Sequence, residues 1–421
     1  MERKIVLLFG FLFIVTLACV STPAPGPTRD PMAAEIEATA LAIANATGVP
    51  ERGTQASPPA PGPLIQPSGL AYLGAFRLPG DAPEEAPDGD GWPWSGEALA
   101  YYPGGDPGGP DDGFPGSLFG TGHNWNQHIS EVSIPAPVVS PAKNVEELNT
   151  ATTLQPFADI RGGALEWPME QARAGLEVLP PQGEQAAAKL YFCWAPHLDE
   201  GAANPSHGWA EMDLANPQPA GPWRVGEYVN YVTTDYMFAI PQAWADAYTP
   251  GMRLATGRYR DGGQASLGPS LFAIGPWNEG DPPPAGATLD AIPLLLYGSI
   301  YEEGPPAMDG YAHSDHWSGG AWLTAGERSA VAFVGAKGLG KTWYGCPDGT
   351  VWPDEPPYPP ECEGRGWWSE RFAAQIALYD PADLAAVATG AMESGSPQPY
   401  AVMEIEDVLY KNEFVLLNHL G

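Results

Sequence analysis

Seven histidines, His123, His128, His197, His207, His313, His316 and His419, carry the first chemical signal. Six of them fall in short polar strings beside Trp, Asp or Asn: GHNWNQH, APHLDE, SHGW and AHSDHW. A neutral imidazole can ligate a divalent metal or take a proton near neutral pH. His197, His313 and His316, with Asp315, Asp199 or Glu200, make the metal set, so a divalent metal is the cofactor candidate. The other reading is that each imidazole pins its turn by bonding to backbone. Arg258-Tyr259-Arg260-Asp261-Gly262-Gly263 is the second constellation. Two Arg two residues apart share one face of a strand and can grip a carboxylate or sulfate bidentately. In a polysaccharide lyase, Arg258 or Arg260 would neutralise a uronate, and His123, His207 or His313 would remove the proton. In a hydrolase, Asp261 and Asp315 would be the paired carboxylates. The structural alternative pairs these Arg with Asp235, Asp261 or a neighbouring sheet.

Aromatic residues stand beside the same polar turns. Trp125, Trp194, Trp277, Trp317 and Trp343 are the nominated sugar platforms, because indole faces suit the apolar C–H faces of pyranose rings. The alternative is that they are packing wedges between sheets. Gly335-Ala336-Lys337-Gly338-Leu339-Gly340-Lys341-Thr342 satisfies the phosphate-loop pattern. Such a loop needs a helix after it to present N–H groups to phosphate. Here Trp343-Tyr344-Gly345-Cys346-Pro347-Asp348-Gly349 follows, so no nucleotide is expected. The acidic turns at Asp88, Asp90, Asp106, Asp111 and Asp112 lack the EF-hand pattern and read as solvated loops.

What must position these residues is a series of short strands. Apolar runs recur from Leu70 onward between Gly, Pro, Asp and Asn clusters, among them Ser117–Gly120, Ile129–Ile134, Lys189–Trp194, Tyr236–Ile240, Ser270–Gly275, Ala330–Gly335 and Phe372–Tyr379. Helix candidates are Met169–Leu179, Pro241–Tyr248 and Pro381–Thr389. A loose repeat joins 117–137, 189–217, 270–300 and 330–384: an apolar strand, a polar or aromatic turn, then a second apolar strand. That grammar predicts an all-β chain folded as a β-propeller of five to seven irregular blades, with a β-sandwich as the alternative. The strings GHNWNQHISEVSIP, SHGWAEMDLANP, DYMFAIP, MRLATGRYRDGG, YAHSDHWSGGAWL and GRGWW together resemble a family of secreted bacterial proteins with a predicted propeller-like fold and no assigned reaction. The resemblance spans roughly Leu70 to Tyr410. It implies an exported propeller and brings no mechanism with it.

The N-terminus reads as an address. Glu2-Arg3-Lys4 precedes an apolar run from Ile5 to Ala18, and Cys19 follows directly. This resembles a lipoprotein signal, with Cys19 as the lipidated first mature residue. Residues 20–68 are a Pro/Ala-rich tether with a short helix candidate at Met32–Ala46, and 69–421 form the propeller-like domain. Cys346 and Cys362 bracket an irregular loop and are expected to form a disulfide, whereas Cys193 reads as a buried apolar residue. The 421 residues carry 51 Asp+Glu against 19 Lys+Arg, a net charge of −32. That balance excludes nucleic acid and opposes binding to anionic lipid through a basic patch. The 51 Gly and 49 Pro exclude coiled coils and long bundles. The reading is of a monomeric, exported protein anchored by lipid at the cell membrane or outer membrane surface. It binds polysaccharide, with lyase or hydrolase activity as the enzymatic form. The alternatives are a non-catalytic glycan- or protein-binding lipoprotein and a structural envelope protein.

Overall fold

The computed structural model describes residues 62–80, 91–92, 98–106, 109, 114–123, 126–163, 165, 173–196, 203–259 and 261–410. Cys19, the signal and most of the tether, Trp125, His197, Asp199, Glu200, Arg260 and His419 lie outside the described residues, as does the side chain of Asp261. Among the described residues no helix is long and apolar enough to cross a membrane.

The chain is all-β, and its strands form four sheets in a ring, a propeller-like arrangement. The first sheet holds β1 (Leu99–Tyr102), β2 (Ser117–Thr121), β3 (Ile129–Ser133) and β4 (Thr153–Ala158). The second holds β5 (Arg173–Leu179), β6 (Lys189–Ala195), β7 (His207–Ala210) and β8 (Ala220–Val225), in that order. The third holds β9 (Tyr236–Ala239), β10 (Leu254–Gly257), β11 (Leu271–Ile274) and β13 (Ala291–Leu295). Between β11 and β13 the chain lends β12 (Thr288–Leu289) to the outer edge of the second sheet, parallel to β8. The fourth holds β14 (His316–Ala325), β15 (Arg328–Gly345), β16 (Gly366–Tyr379) and β17 (Pro399–Glu404). Among the described residues three short helices, α1 (Asn230–Thr233), α2 (Gln242–Tyr248) and α3 (Pro381–Ala388), fill connections. Asp380 caps α3 by accepting from Ala382 N, and Pro381 sits in the first turn, where its missing N–H costs nothing.

The ring has four sheets where repeat spacing predicts five to seven blades. The long insertions explain the difference, since the fourth sheet alone runs from His316 to Glu404. The helix expected over Met169–Leu179 is also corrected. Residues 173–179 form β5, an innermost strand pairing with β6 from Arg173↔Ala195 to Leu179↔Lys189. Its period is two: Ala174, Leu176 and Val178 pack toward the first sheet. A Cβ on Gly175 would meet Cys193 Sγ and the Asp235 carbonyl. Tertiary burial on both faces thus outweighs local helix propensity.

Consecutive sheets pack through their innermost strands, β1 on β5, β5 on β9 and β9 on β14. Closure between the last and first sheets uses the segment 62–78. Leu64 bridges Ser329 of β15, and Ile65, assigned to the tether by composition, is buried against the fourth sheet. Ala75 then exchanges backbone bonds with Val138, and Phe76 and Leu78 enter the core of the first sheet. Gly74 is required there: its φ is +124°, and a Cβ would stand 2.6 Å from the Val138 backbone. Lys143 completes the clasp between the rings of Tyr72 and Tyr410, 5.6 and 5.2 Å from their centroids.

One carboxyl tests this packing. Glu177 on β5 accepts backbone hydrogen bonds from Ala239 and Val178, and desolvation between the inner strands pushes it up to about 8 from an ordinary 4.5. The folded state therefore holds the proton more tightly than the unfolded chain, so stability falls as pH rises from 4.5 to about 8. Glu177→Gln removes that dependence. Urea unfolding should show the variant more stable than the parent by several kcal/mol, on the order of 4, at about pH 8.5, with no gain at about pH 4. An equal effect at both pH values contradicts the assignment.

Candidate functional site

The antiparallel register fixes where the polar turns go. In each sheet the innermost strand begins beside the end of the second: Leu99 opposite Gly120, Arg173 opposite Ala195, Tyr236 opposite Gly257 and His316 opposite Ala336. The connections after β2, β6, β10 and the blade portion of β15 therefore open on one rim. Contacts between sheets on that rim link them in order. The Arg161 guanidinium, bonded to Asp159, lies over Trp194. His207 Nε2 meets Thr256 Oγ1, and Gly262 N donates to the His313 carbonyl. His123, His128, His207, Arg258, His313, Asp315 and His316 all belong to this rim. His123 and His128 flank a tight turn in which the His123 carbonyl accepts from Asn126 N and Gln127 N.

Burial then divides the nominated residues. His207 is sealed in the core, at the centre of a hydroxyl relay. Thr234 Oγ1 donates to Ser206 Oγ at 3.2 Å, and Ser206 Oγ lies 3.0 Å from His207 Nδ1. His207 Nε2 lies 2.8 Å from Thr256 Oγ1, whose own proton goes to the Thr233 carbonyl. That order assigns the imidazole proton to Nε2 and leaves Nδ1 an acceptor. Desolvation pushes the imidazole down to about 3, so it stays neutral and structural. Arg258 is 0% exposed; its Nη1 donates to the Asn230 carbonyl, and its guanidinium sits 4.7 Å from the Tyr231 centroid. It faces the core rather than a solvent-borne uronate. Asp315 is equally buried and accepts from Lys337 Nζ at 2.6 Å, Gly338 N at 2.9 Å and Ala312 N at 3.0 Å. Desolvation pushes its carboxyl up, and the Lys337 ammonium and the two amides oppose that rise.

His313 is half-buried among aromatic rings. The Tyr311 hydroxyl and His313 Nδ1 share a hydrogen bond of 2.9 Å, and the imidazole leans on Trp367, centroids 4.5 Å apart. Burial lowers the His313 imidazole and raises the Tyr311 phenol, so the hydrogen bond joins two neutral groups. Tyr344, 38% exposed, meets Trp367 edge-on at 5.6 Å. Gly262 and Gly263 let the RYRDGG turn lie flat against this ladder. At φ +81° and +74°, their Cβ atoms would fall 2.5 Å from Trp367 Nε1 and 2.6 Å from the Tyr311 hydroxyl. Gly263 O accepts from Ile300 N, which sets Ile300 and the 75% exposed Tyr301 beside the same turn.

The tryptophan nominations separate the same way. Trp194, Trp277 and Trp317 pack in the core, and Trp277 follows β11 at the opposite end of the sheets. Trp343 is half-buried on the fourth-sheet hairpin and donates to the Cys346 carbonyl. Tyr311 and Tyr301 were not singled out by sequence; Trp367 stands in the GRGWW string and Lys337 in the phosphate-loop string, neither as a nominated site residue. The signal available for Trp367 was its neighbour Trp368 at the far end of the disulfide loop. The Cys346–Cys362 disulfide is formed and caps the hairpin of β15 and β16, worth on the order of 3 kcal/mol against the unfolded chain. Cys193 is a buried thiol. The phosphate-loop string lies within β15, bulged where Gly340 takes φ +81°, and no helix follows it. Among the described residues no three His, Cys, Asp or Glu side chains come together as a metal cluster. His313 and His316 are placed, and their proposed co-ligand His197 lies outside the described residues.

No family model, curated protein or solved structure matches this chain.

The relay yields a direct expectation. His207→Ala leaves a cavity and two hydroxyls without their ring partner, and should destabilise the protein by about 2–4 kcal/mol in chemical denaturation. The folded ring stays neutral to about pH 3 whereas the unfolded imidazole takes a proton near 6.5, so the parent loses stability as pH falls from about 8 to 5 and the loss caused by His207→Ala should be smaller at about pH 5 than at about pH 8, by roughly 2 kcal/mol. An equal loss at both pH values would show the imidazole titrating in the fold as it does in the unfolded chain.

Proposed function

We propose that this chain is a carbohydrate-binding propeller displayed at a membrane surface through a lipid on Cys19, and that its ligand rests on the rim between the third and fourth sheets. The observation that carries the reading is the ladder of Tyr311, His313, Trp367 and Tyr344, with centroid separations of 5.3, 4.5 and 5.6 Å. Aromatic faces beside hydroxyls, an imidazole and backbone amides are what a pyranose requires, since it offers an apolar C–H face and a hydroxyl edge. Exposed Ile300 and Tyr301 extend the surface on the other side of the Gly262–Gly263 turn.

Binding is favoured over turnover because three of the groups nominated for a lyase or hydrolase are engaged inside the protein. Arg258 serves Asn230 and Tyr231, His207 its hydroxyl relay, and Asp315 the Lys337 ammonium. An acid–base pair must reach the reacting atoms in a plausible substrate pose.

Affinity electrophoresis of the full chain in detergent, through gels containing soluble polysaccharides, tests the reading. At least one polysaccharide should retard the parent. Trp367→Ala should weaken binding about tenfold, roughly 1.4 kcal/mol, while leaving the melting transition cooperative. No retardation by any polysaccharide overturns the proposal. For the anchor, Cys19→Ala should move the protein from the membrane fraction to the soluble fraction, and an unchanged distribution contradicts lipidation at Cys19.

A further inference from the structure

We propose that the disulfide-closed loop of the fourth sheet, residues 346–362, is a docking surface for a basic polypeptide segment, a Lys or Arg of which lies on the open face of Tyr358. The proposal goes beyond the carbohydrate reading and does not depend on it.

The loop is built and held, not a slack connection. β14 ends its pairing at His316↔Ala336 and β17 at Gln375↔Glu404, whereas β15 and β16 continue together to Gly345↔Gly366. Such a two-stranded arm is marginal by itself. Here the Cys346–Cys362 disulfide ties its end. Trp343 Nε1 donates to the Cys346 carbonyl at 3.0 Å, and Trp368 Nε1 to the Gly364 carbonyl at 2.9 Å, so an indole pins each side. The chain then folds back, with Trp352 N donating to the Tyr344 carbonyl at 2.9 Å. Six prolines among residues 346–362 restrict what freedom remains. A segment fixed in this way loses little entropy when a partner settles on it.

The loop uses that rigidity to hold an aromatic ring in water. The Arg365 guanidinium lies 4.4 Å from the Trp352 centroid, and Glu361 holds it at 2.9 Å. The Tyr358 ring lies within 14° of parallel to Trp352, centroids 5.8 Å apart. Tyr358 is nevertheless 53% exposed, and Val351 on the same loop is 52% exposed. A large aromatic side chain fixed by its neighbour and left open to solvent has the form of an interface anchor.

Charge selects the occupant. Residues 346–365 carry Asp348, Asp354, Glu355, Glu361 and Glu363 against Arg365 alone, so 1 − 5 leaves −4. Among the described residues Glu361 alone of these five forms an ion pair, and its partner is Arg365. The other four carboxylates are exposed. A guanidinium or ammonium matches both features, since it is attracted to the ring face and to the carboxylates around it. The field of the whole chain, at −32, draws basic partners in and repels acidic ones. A neutral glycan gains nothing from that field.

The test follows fluorescence anisotropy of a short labelled peptide of alternating Arg and Gly, titrated with the full chain in detergent at physiological ionic strength. The parent should bind it. Tyr358→Ala should weaken binding about fivefold with an unchanged melting transition. Asp354→Asn together with Glu355→Gln should weaken it about tenfold. Glu393→Gln together with Glu404→Gln removes as much charge away from the loop, Glu404 standing opposite Gln375 on β17, and should change the affinity less than about twofold. Absence of binding by the parent overturns the proposal, as does binding indifferent to Tyr358→Ala. Equal weakening by the two double variants also overturns it, because binding then belongs to the field of the whole chain. A parent that ignores the peptide but binds a neutral hexose oligomer, and loses that affinity in Tyr358→Ala, gives the face to a glycan and overturns it as well. Retardation by polysaccharide gels is read separately, so this proposal and the carbohydrate reading fail independently.

Discussion

Each sheet of the ring must bury both of its faces against its neighbours, and the innermost strands make that contact. β5 shows the demand most directly, with Ala174, Leu176 and Val178 turned to the first sheet and Gly175 and Glu177 to the third. Because every innermost strand enters from the same rim, every antiparallel sheet turns from its second strand to its third on that rim too. The polar turns of four separate repeats are thereby gathered without any contact in sequence. The ring holds only if its last and first sheets are joined. The segment 62–78 does so by backbone pairing to Ser329 at one end and to Val138 and Asn149 at the other.

Gathering polar turns on the rim of a packed ring puts many of their side chains in a desolvated wall. Buried polar groups there need partners, and charged ones need opposite charge as well. The wall meets that demand in three ways. His207 is neutral and relays between hydroxyls, Asp315 is matched by Lys337, and the Arg258 guanidinium lies on an aromatic face. Ile300, Tyr301 and Tyr344 remain turned to solvent between the third and fourth sheets. The same burial that stabilises the wall takes His207, Asp315 and Arg258 out of contact with solvent.

Much of this was legible in the sequence. The alternating runs at Ser117, Ile129, Lys189 and Tyr236 are strands, the Cys346–Cys362 loop is bridged, and the histidine turns share a rim. Residue type and spacing could not report burial, and burial decides whether Arg258 or His207 is a site residue or a core residue. The two Arg of RYRDGG read as a shared strand face, but β10 ends at Gly257, so Arg258 follows the strand and turns inward. The helix expected at Met169–Leu179 failed because local propensity cannot see the pairing with β6. Trp367 stayed inconspicuous because its partner His313 lies in another loop, brought close only by the Gly262–His313 backbone bond and the hairpin of β15 and β16.

The most direct test of the account is indole N–H chemical-shift mapping during titration of the isotopically labelled protein with a polysaccharide that binds it. The account predicts that the Trp367 resonance moves first and furthest. Trp277 and Trp223, buried in the core between the second and third sheets, should stay in place. Movement of Trp277 with Trp367 unchanged would place the ligand at the opposite end of the ring and contradict the central claim.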